Sequence, residues 1–424
     1  MIKFLIKGIL RDRSKSLIPV SVITIGVSIT VLMSGFLSGI LSDVVDQSSK
    51  LDTGHVKVMT KPYAENKDQL PNDLAILDLT ALLDSLKSNY PEINWAPRIK
   101  FGGFLDVAND AGETKNQGPG LGLAVSLFDK SAKEKSRLGL KKSLQRGRLP
   151  EKSREILLSD QFAKKLKLNP GEKVTYFGSS MEGSMVFESF IMVGTVNFGV
   201  SLMDKGTFII DFYDAQKLLD MQDGAGELLG FFENAIYNDI KASEITTNFN
   251  KEFDESSDEF APIMFTLKGQ NDLGASLDLA SSFMGAFVFI FIFAMSLVLW
   301  NTGLIGGLRR YKEFGIRLAL GESKKTVYTL LMLESIIIGA IGSILGTILG
   351  VLFCYYLQEV GIDISQDTKN ASIVMPSIIR AHVTPSLLYV GFIPGLFSMV
   401  FGTALAGRGI FKIKTAQLFK DLEV

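Results

Sequence analysis

Residues Arg309–Lys325 read RRYKEFGIRLALGESKK, a short basic stretch between two long uncharged runs. Leu279–Leu308 before it carries no charged residue, and Thr326–Leu357 after it carries only Glu334. A bilayer core of about 30 Å needs roughly 20 apolar residues per helix, so each run is long enough to cross. Arg309–Lys325 is therefore a loop at the membrane side. Phe314, Ile316, Leu318 and Leu320 are set among Arg309, Arg310, Lys312, Glu313, Arg317, Lys324 and Lys325. Phe314 and Leu318 stand at i,i+4, which suits a short interfacial helix with a polar side free for water or a partner. A loop that only joined two helices would not need that pattern.

Working outward, two more apolar runs occur at Leu17–Leu41 and Pro385–Gly407. Met1–Ser16 reads MIKFLIKGILRDRSKS and places Ile2, Leu5, Ile6, Ile9 and Leu10 on one helical face, away from its lysines and arginines. That pattern predicts an amphipathic helix lying on an anionic membrane surface. A signal-peptide reading fails because the next run exceeds the roughly 7–15 residues of such an apolar region and no small-residue cleavage site ends it. Lysine and arginine crowd the N-terminal segment, the central loop and the tail (Arg408, Lys412, Lys414, Lys420), whereas Gln358–Thr384 holds only Lys369 and Arg380. By the positive-inside rule the N-terminus, the central loop and the C-terminus are cytoplasmic.

The expected organisation is an α-helical membrane protein with four transmembrane helices and a large extracytoplasmic α+β domain. Its segments are an interfacial helix at 1–16, spans at 17–41, 279–308, 326–357 and 385–407, the outer domain at 42–278, the cytoplasmic loop at 309–325, a short outer loop at 358–384 and a cytoplasmic tail at 408–424. The chain of 424 residues, 47% hydrophobic, has a formal net charge of −1, which argues against nucleic-acid binding. Its single cysteine, Cys354, forbids an intrachain disulfide, and His55, His382 and Cys354 are too scattered for a His/Cys metal site.

Within 42–278, strands are predicted at His55–Met59, Ala96–Val107, Leu121–Phe128, Phe187–Val196 and Thr207–Asp211. Helical spacing appears at Leu79–Lys87 and Ser159–Leu168, the latter stopped by Asn169-Pro170-Gly171, and another helix begins over Asp214–Leu219. Gly178–Ser184 and Asp223–Gly226 read as loops and Glu252–Glu259 as a solvated acidic surface. The mixture predicts an α+β domain in two lobes.

Gly342, Gly346 and Gly350 recur every four residues in the third run, with Gly339 one step off. Such a stripe lets a neighbouring helix approach closely. Glu334, about two turns into that run, suits ionic pairing with Arg309, Arg310 or Lys324, a coupling role, or least of all a proton relay, since no second ionisable group lies deeper. Gly321–Thr326, GESKKT, is not a Walker A loop, because Lys324 occupies the position where that motif requires glycine. No nucleotide site and no acid–base or nucleophilic constellation is encoded. Any ATP must be bound by another chain.

Glu313-Phe314-Gly315-Ile316, then Ala319-Leu320-Gly321 and Glu334-Ser335, resemble the loop and third helix of FtsX-like permeases, membrane subunits of ABC transporters that include the lipoprotein-releasing and macrolide-exporting systems. Further along the same pattern, Thr53-Gly54-His55-Val56, Gly147-Arg148, Glu155-Ile156-Leu157-Leu158, Gly171-Glu172 and Val193-Gly194 are similar to the extracytoplasmic MacB-like core domain of that family. The order of these matches, between the first run and the other three, is more specific than any one of them.

The resemblance implies a permease that pairs with a second, identical or related permease above a cytoplasmic ABC ATPase dimer. ATP and magnesium would be held by the ATPase alone. Closure of the ATPases would pass through Arg309, Arg310, Glu313, Phe314, Gly315, Arg317 and Gly321 to the outer domain, which moves cargo outside the inner membrane. The outer domain's size and the Thr53-Gly54-His55 opening are closer to the lipoprotein-releasing branch, with lipoprotein cargo and a periplasmic carrier. The tail KIKTAQL at Lys412–Leu418 matches the family ending only loosely, which keeps drug or peptide efflux and a non-transporting signal scaffold open.

Overall fold

The computed structural model describes residues 13–109, 112–129, 133–254, 258–308, 311–363 and 378–412. Most of the expected interfacial helix, Arg309 and Arg310, the middle of the short outer loop and most of the tail lie outside these. The chain divides into two units, one made of Met1–Ser42, Leu279–Ile362 and Ile379–Val424, the other of Asp43–Asp278 and Asp363–Ile378.

Four helices in the described residues are long and apolar enough to cross a membrane. They run over Arg13–Ser48, Leu273–Leu308, Lys324–Val360 and Leu387–Lys412. The first and third outrun their expected spans at both ends, the second only at its start, and the fourth, which begins two residues later than expected, only at its end. The first continues through polar residues into a π-helical turn, Ser49–Thr53, and stops at Gly54, whose φ of +62° directs its amide onto Ser49 O at 2.9 Å. The third begins at Ser323, whose hydroxyl accepts from the Thr326 amide at 3.2 Å, and ends at Gly361 with φ +72°.

The glycine stripe meets the first helix of the same chain. A Cβ on Gly342, Gly346 or Gly350 would lie 2.8, 2.7 and 2.7 Å from the Cβ atoms of Ile23, Val27 and Val31. Contacts that close exist only because no side chain stands between the backbones. Gly339 faces the fourth helix at Leu396, and Thr24 Oγ1 donates to Gly342 O at 3.3 Å. Where the second helix touches the fourth, Gly402 abuts the Trp300 carbonyl and Gly303 the Met399 carbonyl. Elsewhere the second helix leaves Phe283, Phe287, Phe289 and Phe293 exposed.

Among the described residues the second unit carries a ten-stranded sheet: β1 Val56–Thr60, β2 Ile93–Ala108, β3 Thr114–Val125, β4 Leu144–Gly147, β5 Glu155–Ser159, β6 Lys173–Ser179, β7 Met185–Val196, β8 Thr207–Asp211, β9 Glu227–Phe232 and β10 Pro262–Thr266. Their order is β10-β1-β9-β2-β3-β8-β5-β7-β4, with β6 bridging β2 and β7. The long β2 serves two lobes, since Ile93–Arg98 pairs with β9 and Ile99–Ala108 with β3. Helices Leu79–Asn89, Asp160–Leu166, Phe212–Leu218 and Asp239–Phe253 complete the α+β domain. Leu79, Leu86, Phe162, Leu166, Phe212 and Phe249 contribute to one apolar core.

Candidate functional site

Tyr311–Ala319 is helical, and its periodicity separates two faces. Phe314 is 6% exposed and packs on Val327 and Leu331 of the third helix with Leu318 beside it; Gly315 is also buried. The other face carries Glu313, Ile316, Arg317 and Leu320, spaced i, i+3, i+4, i+7. Ile316 and Leu320 are 51% and 81% exposed. Gly321, at φ +93°, closes the turn by donating its amide to Leu318 O at 3.1 Å, and Glu322 N donates to Arg317 O at 3.1 Å. Only Leu320–Ser323 separates the short helix from the third long one, so its outward face is fixed to that helix.

This arrangement redistributes the residues singled out in the sequence. Phe314 and Gly315 hold the short helix against the third, and Gly321 makes the turn; none of the three belongs to the outward face. Glu313 and Arg317 do. Ile316 and Leu320 complete the face and are not among the residues the sequence pattern singles out, although their offset of two from Phe314 and Leu318 places them on the opposite side. Glu334 is half-buried in the third helix.

A second polar constellation lies in the outer domain, and the sequence does not reveal it. Arg98 is fully buried; its Nε donates to Glu134 at 2.9 Å, and its Nη1 and Nη2 donate to the carbonyls of Leu51 and Lys50 at 3.0 and 2.8 Å. These are end carbonyls that a helix leaves without internal partners. Arg137 pairs with the same carboxylate. Burial pushes the Glu134 carboxyl up, but the two guanidinium groups outweigh it and hold it below the usual carboxylate range. Beside them Lys57 pairs with Glu227 at 3.1 Å, and Lys100 contacts both Glu227 and Asp52. Burial wins at Lys57 and pulls its ammonium below the ordinary lysine range; at Lys100 burial is outweighed by Glu227 and Asp52, and the pKa rises. Paired as they are, these groups tie the π-helical turn to β1, β2 and β9.

His55, 2% exposed, is a hydrogen-bonding core histidine and not a strand-surface one: its Nδ1 accepts from the Phe232 amide at 3.0 Å. Among the described residues no group of three or more His, Cys, Asp or Glu is placed to hold a metal ion.

The described residues thus comprise a unit of long apolar helices carrying a short amphipathic helix and a separate α+β unit. Residues 16–243 match the MacB-like periplasmic core domain and residues 285–415 the FtsX-like permease C-terminal family. The first match alone spans more than half of the chain, and the protein belongs to the FtsX/MacB-type ABC permease family. Members of that family are generally non-enzymatic and work with ABC ATPase partners. The structure is similar to the crystal structure of the periplasmic region of MacB from Actinobacillus actinomycetemcomitans, at 11% identity and a TM-score of 0.36, over 56% of this chain and 98% of that one. No curated protein matches the sequence.

Proposed function

We propose that the chain is the permease subunit that couples a separate cytoplasmic ATPase dimer to extracytoplasmic movement of cargo, and that its cargo is lipoprotein released from the inner membrane. The observation that carries the coupling role is the outward face of Tyr311–Ala319. An apolar pair, Ile316 and Leu320, stands beside a carboxylate and a guanidinium, and Phe314 anchors the helix that carries them. A face of that composition fits a groove on a soluble partner, with the charges fixing orientation. In this reading both termini are cytoplasmic, a second permease stands beside the first, ATP and magnesium are bound by the ATPases, and a periplasmic carrier receives the cargo. The Thr53-Gly54-His55 opening of the outer domain supports the lipoprotein-releasing branch over drug or peptide efflux and over a signal scaffold.

Affinity purification of the full chain from its native membrane, followed by mass spectrometry, tests the partner. A stoichiometric ATPase is expected, lost with Leu320→Asp but retained with Leu202→Asp, an exposed control in the outer domain. Recovery of the chain alone after crosslinking overturns the coupling role. Reversing the charge of Glu313 or Arg317 is expected to uncouple ATP hydrolysis from transport without affecting insertion. A lipoprotein trapped by an ATPase-dead partner supports the cargo; normal lipoprotein traffic in a deletion strain rejects it.

A further inference from the structure

A cavity of about 240 Å³ opens in the outer domain between Ser49, at the end of the first helix, Asn94, the end of β9 and the short helix Glu134–Arg137. The proposed function does not use it. Its closed end is unusual for a protein interior. Arg137, its side chain 8% exposed, has its Cζ over the Phe231 ring, 3.7 Å from the centroid, and donates to Asn94 Oδ1 at 2.6 Å and to Glu134. Those bonds use two of the five N–H donors that a guanidinium carries. Glu134 is shared with the fully buried Arg98, so two guanidinium groups face one carboxylate and the wall keeps one net positive charge.

Beside that wall, His55 lines the same cavity. Its Nδ1 is taken by the Phe232 amide, so the neutral ring carries its proton on Nε2 and offers a second donor. Burial holds its pKa down to about 4, which keeps it neutral at ordinary pH. At the mouth the formal charges cancel: Lys50 pairs with Asp46, and Lys133 and Glu233 both line the cavity. The net charge is therefore at the bottom, where a ligand's anionic end would go, and Phe231 and Phe232 give the walls an apolar surface for the alkyl chain attached to that end.

A tetrahedral anion with three free oxygens meets donors arriving from several directions, and guanidinium is the side chain best matched to it. We propose that this cavity binds an alkyl phosphate, its oxygens held by Arg137 and the Nε2–H of His55, with Lys133 at the entrance. The same chemistry is offered by the phosphate monoester headgroup of phosphatidic acid and by a soluble phosphate monoester.

The test uses the full chain, labelled with ¹⁵N-histidine, in a phosphate-free maltoside detergent. Only two histidines exist, so His55 and His382 report separately. Glycerol 1-phosphate is titrated first, with glycerol as the control, and phosphatidic acid in mixed micelles second. A saturable shift of the His55 ring signals, absent from His382, is expected. Saturation by glycerol phosphate identifies a soluble ligand, and saturation by the lipid alone a headgroup. Arg137→Gln is expected to weaken binding about ten- to a hundredfold, Arg137→Lys less. Should Arg137→Gln fail to fold, Lys133→Ala at the exposed mouth is expected to weaken it several-fold. No saturable His55 shift with either compound, or unchanged affinity in Lys133→Ala and every folded Arg137 variant, overturns the proposal.

Discussion

The second and third long helices have the same mean hydropathy, 2.5 over their most apolar eighteen residues, yet 6% of the one stretch is buried and 39% of the other. Hydropathy says that a helix can cross a bilayer and nothing about what it touches, because lipid is as apolar as leucine. The third helix is drawn into the bundle by Gly342, Gly346 and Gly350, which let Ile23, Val27 and Val31 come within contact of its backbone. Most of the second presents phenylalanine outward and meets the fourth only where Gly303 and Gly402 thin the two surfaces. Small residues, and not apolar ones, select neighbours inside a membrane.

The sharpest way to break this contrast is Gly346→Leu. Its new side chain would collide with Val27 and with the Thr24 carbonyl, 2.7 Å from where Cβ must stand. Roughly 2–3 kcal/mol of bundle stability should be lost, read as an earlier thermal transition of the full chain in detergent. Combining it with Val27→Gly ought to leave the double variant about 1 kcal/mol better than the sum of the two single losses, since the contacts with the Val27 Cβ and Cγ1 are removed and that with the carbonyl is not. Simple additivity in that double variant would place the damage elsewhere. Gly339→Ala is milder: its Cβ meets the mobile Leu396 Cδ1 at 3.2 Å, and a cost under about 1 kcal/mol is expected by the same measurement. At the far end of the scale, Gly285→Leu on the second helix, with nothing within 4 Å, should stay within about 0.5 kcal/mol. A large loss there would mean that another chain covers the exposed helix, and a dilution series of the transition would reveal it.

The same distinction explains which features are legible in the sequence. Four apolar runs, the glycine stripe and the loop's amphipathy are local patterns, and strand Thr207–Asp211 agrees with its expected range to the residue. Strand β9, ELLGFF, escapes a search for alternation because it is buried on both sides and shows none. Helix Asp239–Phe253 escapes too, because it buries only a narrow stripe, Ala242, Ile245 and Phe249, within a polar sequence. Strands β4, β5, β6 and β10 are likewise absent from the expected set. Least legible is the buried charge cluster. Lys57 and Glu227 are 170 positions apart, as are the elements that bring them together, and a lysine in a strand reads as a surface residue until its partner is known. On the loop, the sequence identifies the residues but not their direction: Phe314 reads as a contact for the ATPase, and the structure turns it inward.

One strand arrangement also has a meaning in time. Strand β1, the first of the domain to leave the ribosome, pairs with β9 and β10, the last two, and β2 joins both lobes. The first lobe cannot close its sheet until nearly the whole domain has been made, and loop-closure entropy must be met before those contacts form. The early strands therefore wait with unpaired edges, a state that invites aggregation. A chain truncated anywhere before Pro262 should never acquire a folded first lobe, which makes completion of the domain a late, all-or-none checkpoint in the life of this permease.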